Sequence, residues 1–237
     1  MSHLAQDADW NNWHQQWRVL FCEQATNAMR TADPGHGIDH VSRVVGNAER
    51  LGILEHANPF IVLPAAWLHD CVLIPKDSPE RSKASRLAAI KARELLGILE
   101  YPRNFHDGIV HAIESHSFSA AIECKTIEAQ VVQDADRLEA LGSIGIARCL
   151  MTAGSLGQAL YNVNEPFPVE RDADDRNNSI DHFFAKLFRL PATMKTTAGR
   201  SEAQQRIDVM LEFLKQLAND IGEPIGNLEA AMRRISQ

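Results

Sequence analysis

The chain has little positive charge, no dense cysteine framework and no long apolar run, and each shortage removes a class of protein. Its 24 Lys and Arg stand against 31 Asp and Glu, a formal charge of −7. Broad attraction to a nucleic-acid polymer or an anionic membrane is therefore not expected, although a local basic pocket could still hold a phosphate. Cys22, Cys71, Cys124 and Cys149 are widely spaced, with no CxxC pair, and read as reduced thiols rather than a disulfide scaffold. No basic segment precedes an apolar one near the start, and no stretch reaches the roughly 18 uninterrupted apolar residues of a membrane span. A cytoplasmic protein without membrane partners is expected. Convincing strand alternation, internal repeats and low-complexity segments are missing too, as is a GxSxG nucleophile elbow.

What is present is helical spacing. With 237 residues, 45% of them hydrophobic, the chain can bury a full core as one compact domain over 1–237. Trp10, Trp13, Trp17 and Phe21 follow i, i+3, i+7, i+11, so a first helix over roughly 9–30 should lay this stripe on the core. Pro34, Gly35 and Gly37 then break the chain, and Asp39 is placed to cap a helix from about His40 to Leu54. Asn58 and Pro59 have the character of a cap and first turn, with Pro64 as a kink or a later start. Further helical patterns cover about 78–99, 102–116, 127–141 and 143–152. Two glycines, two prolines and mixed charge make 154–179 a long surface connection, or a lid. Two last helices, about 180–190 and 191–220, and a short tail follow. The expected fold class is all-α.

Within this pattern several polar residues stand out. "AAWLHDCVL" places His69 and Asp70 side by side in an apolar run, where a buried carboxylate needs a partner. "HGIDHVSRVV" supplies His36 and His40 at i, i+4. "HAIESHSFS" supplies His111 and His116, and "VVQDADRLEAL" supplies Asp134 and Asp136. A mixed imidazole and carboxylate set suits Mn, Fe, Co, Ni or Zn. Each cluster alone also fits a core salt bridge or a satisfied buried histidine. For the last pair, the apolar face of Val131, Ala135 and Leu138 lies nearer Asp134 than Asp136.

Taken in order, "GHGIDHVSRVV", "AAWLHD", "HSFS", "VVQDADRLEALGSIGIAR" and "DHFFAKLFRLPATMKTTAGR" resemble the HD superfamily of metal-dependent phosphohydrolases, and within it a small bacterial subfamily. The resemblance covers about residues 30–215. It implies an HD-like helical core over about 30–150, with C-terminal helices over 180–235. His40, His69, Asp70 and Asp136 are implied as ligands of one divalent metal, Mn foremost and Ni, Co, Fe or Zn as alternatives. That would place Asp70 in the chemistry itself and leave Asp134 to fix a ligand histidine or a pocket cation. His36 would line the pocket or orient a ligand. Arg43 and Arg137 adjoin ligand positions and are candidates for holding phosphate. Lys83, His111 and His116 are expected to contact phosphate or protonate the leaving group. Lys186 is either a pocket residue or a snorkelling lysine, whereas Arg81 and Arg86 read as a solvated face.

The implied substrates are nucleotides, chiefly triphosphates cleaved to monophosphate and pyrophosphate by metal-activated water, with other phosphate esters open. The place two residues after the HD pair, acidic in some HD nucleotidases, holds Val72, and no "GYP" element appears. A simple 5′-monophosphatase and a cyclic-dinucleotide hydrolase are thereby disfavoured. Two rivals remain: a two-iron HD-type oxygenase, because His111 and His116 fall between the HD pair and the last aspartate, and a nucleotide sensor without turnover. A homodimer is admitted as the assembly.

Overall fold

The computed structural model describes residues 3–31, 37–74, 78, 80–117 and 120–235, with the side chains of 3–15, 31 and 81 outside that set. It divides into two compact units, Met1–Asp136 and Arg137–Gln237. The core expected over about 30–150 thus runs across the division. Among the described residues the regular structure is helical, with one isolated bridge between Ala159 and Asn178. No described helix is long and apolar enough to cross a membrane.

The first unit holds α1 (His3–Ala28), α2 (Ile38–Leu54), α3 (Pro59–Leu68), α4 (Ala84–Ile98), α5 (His106–His116) and most of α6 (Ile127–Arg137). The sequence of α3, PFIVLPAAWL, is apolar around its whole circumference, and a helix of that kind belongs inside. Val62 through Leu68 are buried, with α1, α2 and α5 packed against the helix. Its start is fixed as expected: Asn58 accepts the Phe60 N–H at 3.0 Å, and Pro59 fills the first position. Pro64 lies inside the helix and does not delay its start. Having no N–H, it leaves the Phe60 carbonyl open, and the Tyr101 hydroxyl donates to that carbonyl at 2.7 Å. The Tyr101 ring meets Trp17 edge-on at 4.8 Å, beside the fully buried Phe21. The described half of the tryptophan stripe is therefore core, while the side chains of Trp10 and Trp13 lie outside the described residues.

Two expected starts differ. Gly37, not Asp39, is the N-cap of α2; Asp39 sits in the first turn and takes a hydrogen bond from Arg43. The helix expected from 78 begins as α4 at Ala84, after a 3₁₀ turn over Arg81–Lys83.

The second unit opens with a 3₁₀ turn, Leu138–Ala140, followed by α7 (Gly142–Ser155), α8 (Asp181–Ala185), a 3₁₀ segment (Leu187–Thr193), α9 (Thr197–Ile221) and α10 (Ile225–Ile235). The glycines of "LGSIG" have physical reasons. Gly142 has φ of +67°, and a Cβ at Gly145 would lie 2.2 Å from the Ala140 carbonyl oxygen. The expected short tail is a helix: α10 buries Leu228 and Ala231.

The long connection is a braced loop. Glu165 accepts the backbone N–H groups of Val169 and Glu170 at 2.7 and 2.6 Å. The Arg171 guanidinium clasps the fully buried Asp181 through both terminal nitrogens. From α10, Arg234 donates to the carbonyls of Pro168, Val169 and Arg171. The mixed charge visible in the sequence is used to hold this segment on its own unit.

Candidate metal centre

Four elements of the first unit bring titratable groups together, and three of them do so at helix C-termini. His69 is the C-cap of α3 with Asp70 following, His116 is the last residue of α5, and Asp136 lies in the last turn of α6. Helix C-termini carry partial negative charge, so these ends and the two carboxylates together favour a cation. His40 enters from the first turn of α2.

Distances define the cluster. His40 Nε2 is 3.5 Å from Asp136 Oδ1, and His69 Nε2 is 3.9 Å from the same oxygen and 3.6 Å from Asp70 Oδ2. His116 Nε2 is 3.6 Å from Asp70 Oδ1. The rings are buried, whereas Asp70 and Asp136 keep 25% and 30% of their side chains exposed, so the carboxylates mark the open side. Two sets of donors each lie within 4.8 Å of one another: His40–His69–Asp136 and His69–Asp70–His116.

Tautomers follow from the helix ends. The last carbonyls of a helix lack helical donors, and His69 Nδ1 donates to Ala66 O at 2.7 Å. His116 Nδ1 does the same to Ile113 O at 2.6 Å. Both rings therefore present Nε2 to the cluster. His69 Nε2 is buried and has no hydrogen-bond partner. A lone pair left so, between two carboxylates, is what a metal-ligating imidazole needs. The donor set fits a divalent transition metal on that ground.

The electrostatics agree. Burial lowers the His69 pKa, against the pull of the Asp70 carboxylate. Burial works against charge on Asp70, but the facing His69 and His116 rings hold its carboxyl far below the usual range. Burial also opposes charge on His116, yet the Asp70 carboxylate outweighs it and the net shift is upward. The Cys71 thiol is pushed up to about 12 by burial and by Asp70, and it donates to Ala88 O, so it is no nucleophile.

The remaining candidates scatter. Asp134 is fully buried, as its apolar face suggested, but it is Asp136 whose oxygen meets the histidines. His111 Nε2 accepts the Lys125 N–H at 3.0 Å, a structural tie rather than a contact with the cluster. Lys83 is exposed and paired with Glu80 at 2.6 Å, and Arg86 is exposed beside Glu114. Arg43, one turn beyond His40, is engaged by Asp39. In the second unit Arg137 donates to Thr193 O, and Lys186 is exposed. His36 and the Arg81 side chain lie outside the described residues.

Sequence reasoning missed two buried carboxamides. Asn47 donates to Ala135 O, and Gln133 donates to Ser115 O. Both carbonyls belong to residues next to cluster members. The signal for Asn47 was its place seven residues after His40, on the same face of α2.

Comparison with known proteins gives the family of the chain. The HD domain family matches residues 37–141. The Bacillus subtilis protein YpgQ is 38% identical over 191 residues, covering 79% of this chain and 85% of the relative. A crystal structure of YpgQ in complex with ADP superposes with a TM-score of 0.65 at 36% identity, over 84% of this chain and 97% of that one. An HD-superfamily hydrolase from Bacillus thuringiensis gives a TM-score of 0.68 at 29% identity, over 87% and 97%.

Proposed function

The chain belongs to the HD superfamily of metal-dependent phosphohydrolases, and from that premise we propose that it hydrolyses nucleoside triphosphates to monophosphate and pyrophosphate. The observation that carries the reading is His69 Nε2, buried and without a hydrogen-bond partner beside Asp70 and Asp136. His40, His69, Asp70 and Asp136 would hold one divalent ion, Mn foremost. Such an ion supplies an activated water and polarises a phosphoryl oxygen.

The chain's own residues do the rest. Ala66 O fixes the His69 ring so that Nε2 faces inward. Asp70, between His69 and His116, is both ligand and partner for the His116 proton. His116, with its pKa raised by that carboxylate, carries a proton at Nε2 for the departing pyrophosphate. Asp134, buried two residues before Asp136, acts by positioning. That the relative YpgQ was crystallised with ADP supports a nucleotide as substrate.

The competing reading is a two-ion centre of the HD oxygenase type, favoured by the second donor set, His69–Asp70–His116. The test is a nucleotide panel offered to metal-reconstituted protein, with phosphate and pyrophosphate measured separately. Pyrophosphate from triphosphates supports the proposal. Orthophosphate alone, or nucleotide binding without turnover, refutes it.

A further inference from the structure

We propose that Asn47 and Gln133 are positioning residues, two buried carboxamides that hold the ends of α5 and α6 so that His116 and Asp136 reach one cation site. The inference rests on the metal reading above. Asp136 and His116 both sit in last turns, where helix carbonyls run short of N–H partners. In each case a carboxamide from a neighbouring helix donates to a carbonyl of that turn, which for Ser115 O also takes the Cys124 thiol at 3.5 Å. Asn47 Nδ2, from the helix that carries His40, donates to Ala135 O at 3.2 Å. Gln133 Nε2, from the helix that carries Asp136, donates to Ser115 O at 2.7 Å.

The orientation of the first amide is set by its surroundings. Arg50 Nη2 donates to Asn47 Oδ1 at 2.9 Å, which turns the Asn47 nitrogen toward Ala135. Asn47 and Gln133 are each 3% exposed, so neither is a surface group that met a carbonyl by chance. Gln133 also leaves its own Oε1 buried without a partner. An apolar residue there would avoid that cost, so packing alone does not account for a glutamine. Together the two ties join α2 to α6 and α6 to α5, each one residue away from a member of the cluster. A drift of α6 would open the 3.5 Å spacing between His40 and Asp136 directly.

The test is Mn(II) titration of metal-stripped protein, followed by the electron paramagnetic resonance of free Mn(II), at a temperature where circular dichroism shows every variant folded. Asn47→Leu and Gln133→Leu should each weaken Mn(II) binding by roughly ten- to hundredfold, the range for groups that orient metal ligands. The visible spectrum of the Co(II)-substituted protein should change with them. Arg50 is exposed, so Arg50→Ala disturbs the core least, and freeing the amide should weaken binding by roughly tenfold, the low end of that range. A purely structural role would lower the urea midpoint in EDTA while leaving Mn(II) affinity within twofold and the Co(II) spectrum unchanged; that result overturns the proposal. If wild-type protein binds no Mn(II), the metal reading itself fails. Normal wild-type binding with unaltered variants overturns the positioning role alone.

Discussion

Replacing Asp136 by asparagine probes the centre at its most informative point, because two lines of sequence reasoning disagree there. Asp136 Oδ1 stands 3.5 Å from His40 Nε2 and 3.9 Å from His69 Nε2, so an ion shared by those rings lies close to the carboxylate. Unit charges about 4 Å apart interact by about 4 kcal/mol at an effective dielectric near 20. Each step of about 1.4 kcal/mol is tenfold in affinity. Asparagine keeps a carbonyl donor but loses the charge, and the ion is divalent, so Asp136→Asn should weaken Mn(II) binding by at least about a thousandfold. Asp134→Asn should weaken it only about ten- to hundredfold, as expected of a group that positions a ligand. Asp136 is 30% exposed, whereas Asp134 is fully buried, so the order for stability reverses: in EDTA, Asp134→Asn should lower the urea midpoint more. Calorimetric Mn(II) titration and urea unfolding of the same samples give both orders. If Asp134→Asn loses the metal and Asp136→Asn keeps it, the ligand assignment is wrong by two residues.

Other perturbations reach the second unit. Arg171→Ala strands the buried Asp181 carboxylate and should cost about 3–5 kcal/mol in urea unfolding, the usual penalty for one half of a buried pair; a loss below about 1 kcal/mol would deny the bracing role. Gly145→Ala forces a Cβ to within 2.2 Å of the Ala140 oxygen and should lower the Tm by several degrees; an unchanged melting curve would show that the turn yields freely. Glu165 and Asp174 have lowered pKa values. For Glu165 burial opposes the shift but three backbone N–H bonds prevail, and for Asp174 the Asn177 amide leads. Groups depressed in this way stabilise above their ordinary values and lose that contribution as pH falls through the folded ones. Hydrogen exchange across 156–180 should therefore rise below about pH 4, and unchanged protection down to pH 3 would refute this.

Much of the fold was legible because apolar spacing repeats cleanly. The PFIVLPAAWL segment announced a buried helix, and Asn58 with Pro59 announced its start. Boundaries slipped where side-chain chemistry competes, as at Asp39, which turned from cap to ion-pair partner of Arg43. Periodicity left α10 as a tail, although the resemblance implied helices over 180–235, because only a few of its residues are buried, Leu228 and Ala231 among them. At the site, the histidines and carboxylates of the cluster could be found through their residue types. Choosing between Asp134 and Asp136 could not rest on helix periodicity, since the buried side of α6 and the side facing the other helix ends differ. For Lys83 and His111, proximity in sequence does not show what else a side chain will meet. Glu80 and the Lys125 N–H engage them instead. Asn47 was marked only by its place on the His40 face of α2, and Gln133 by nothing, because the carbonyls they meet lie on other helices.

The central claim is that one ion sits among His40, His69, Asp70 and Asp136, and a count tests it directly. Metal-stripped protein titrated with Mn(II) should saturate at one ion per chain, and His69→Ala should lose that ion while its helical circular dichroism persists. Saturation at two ions, no binding by the wild type, or full retention of the ion by His69→Ala would contradict the account.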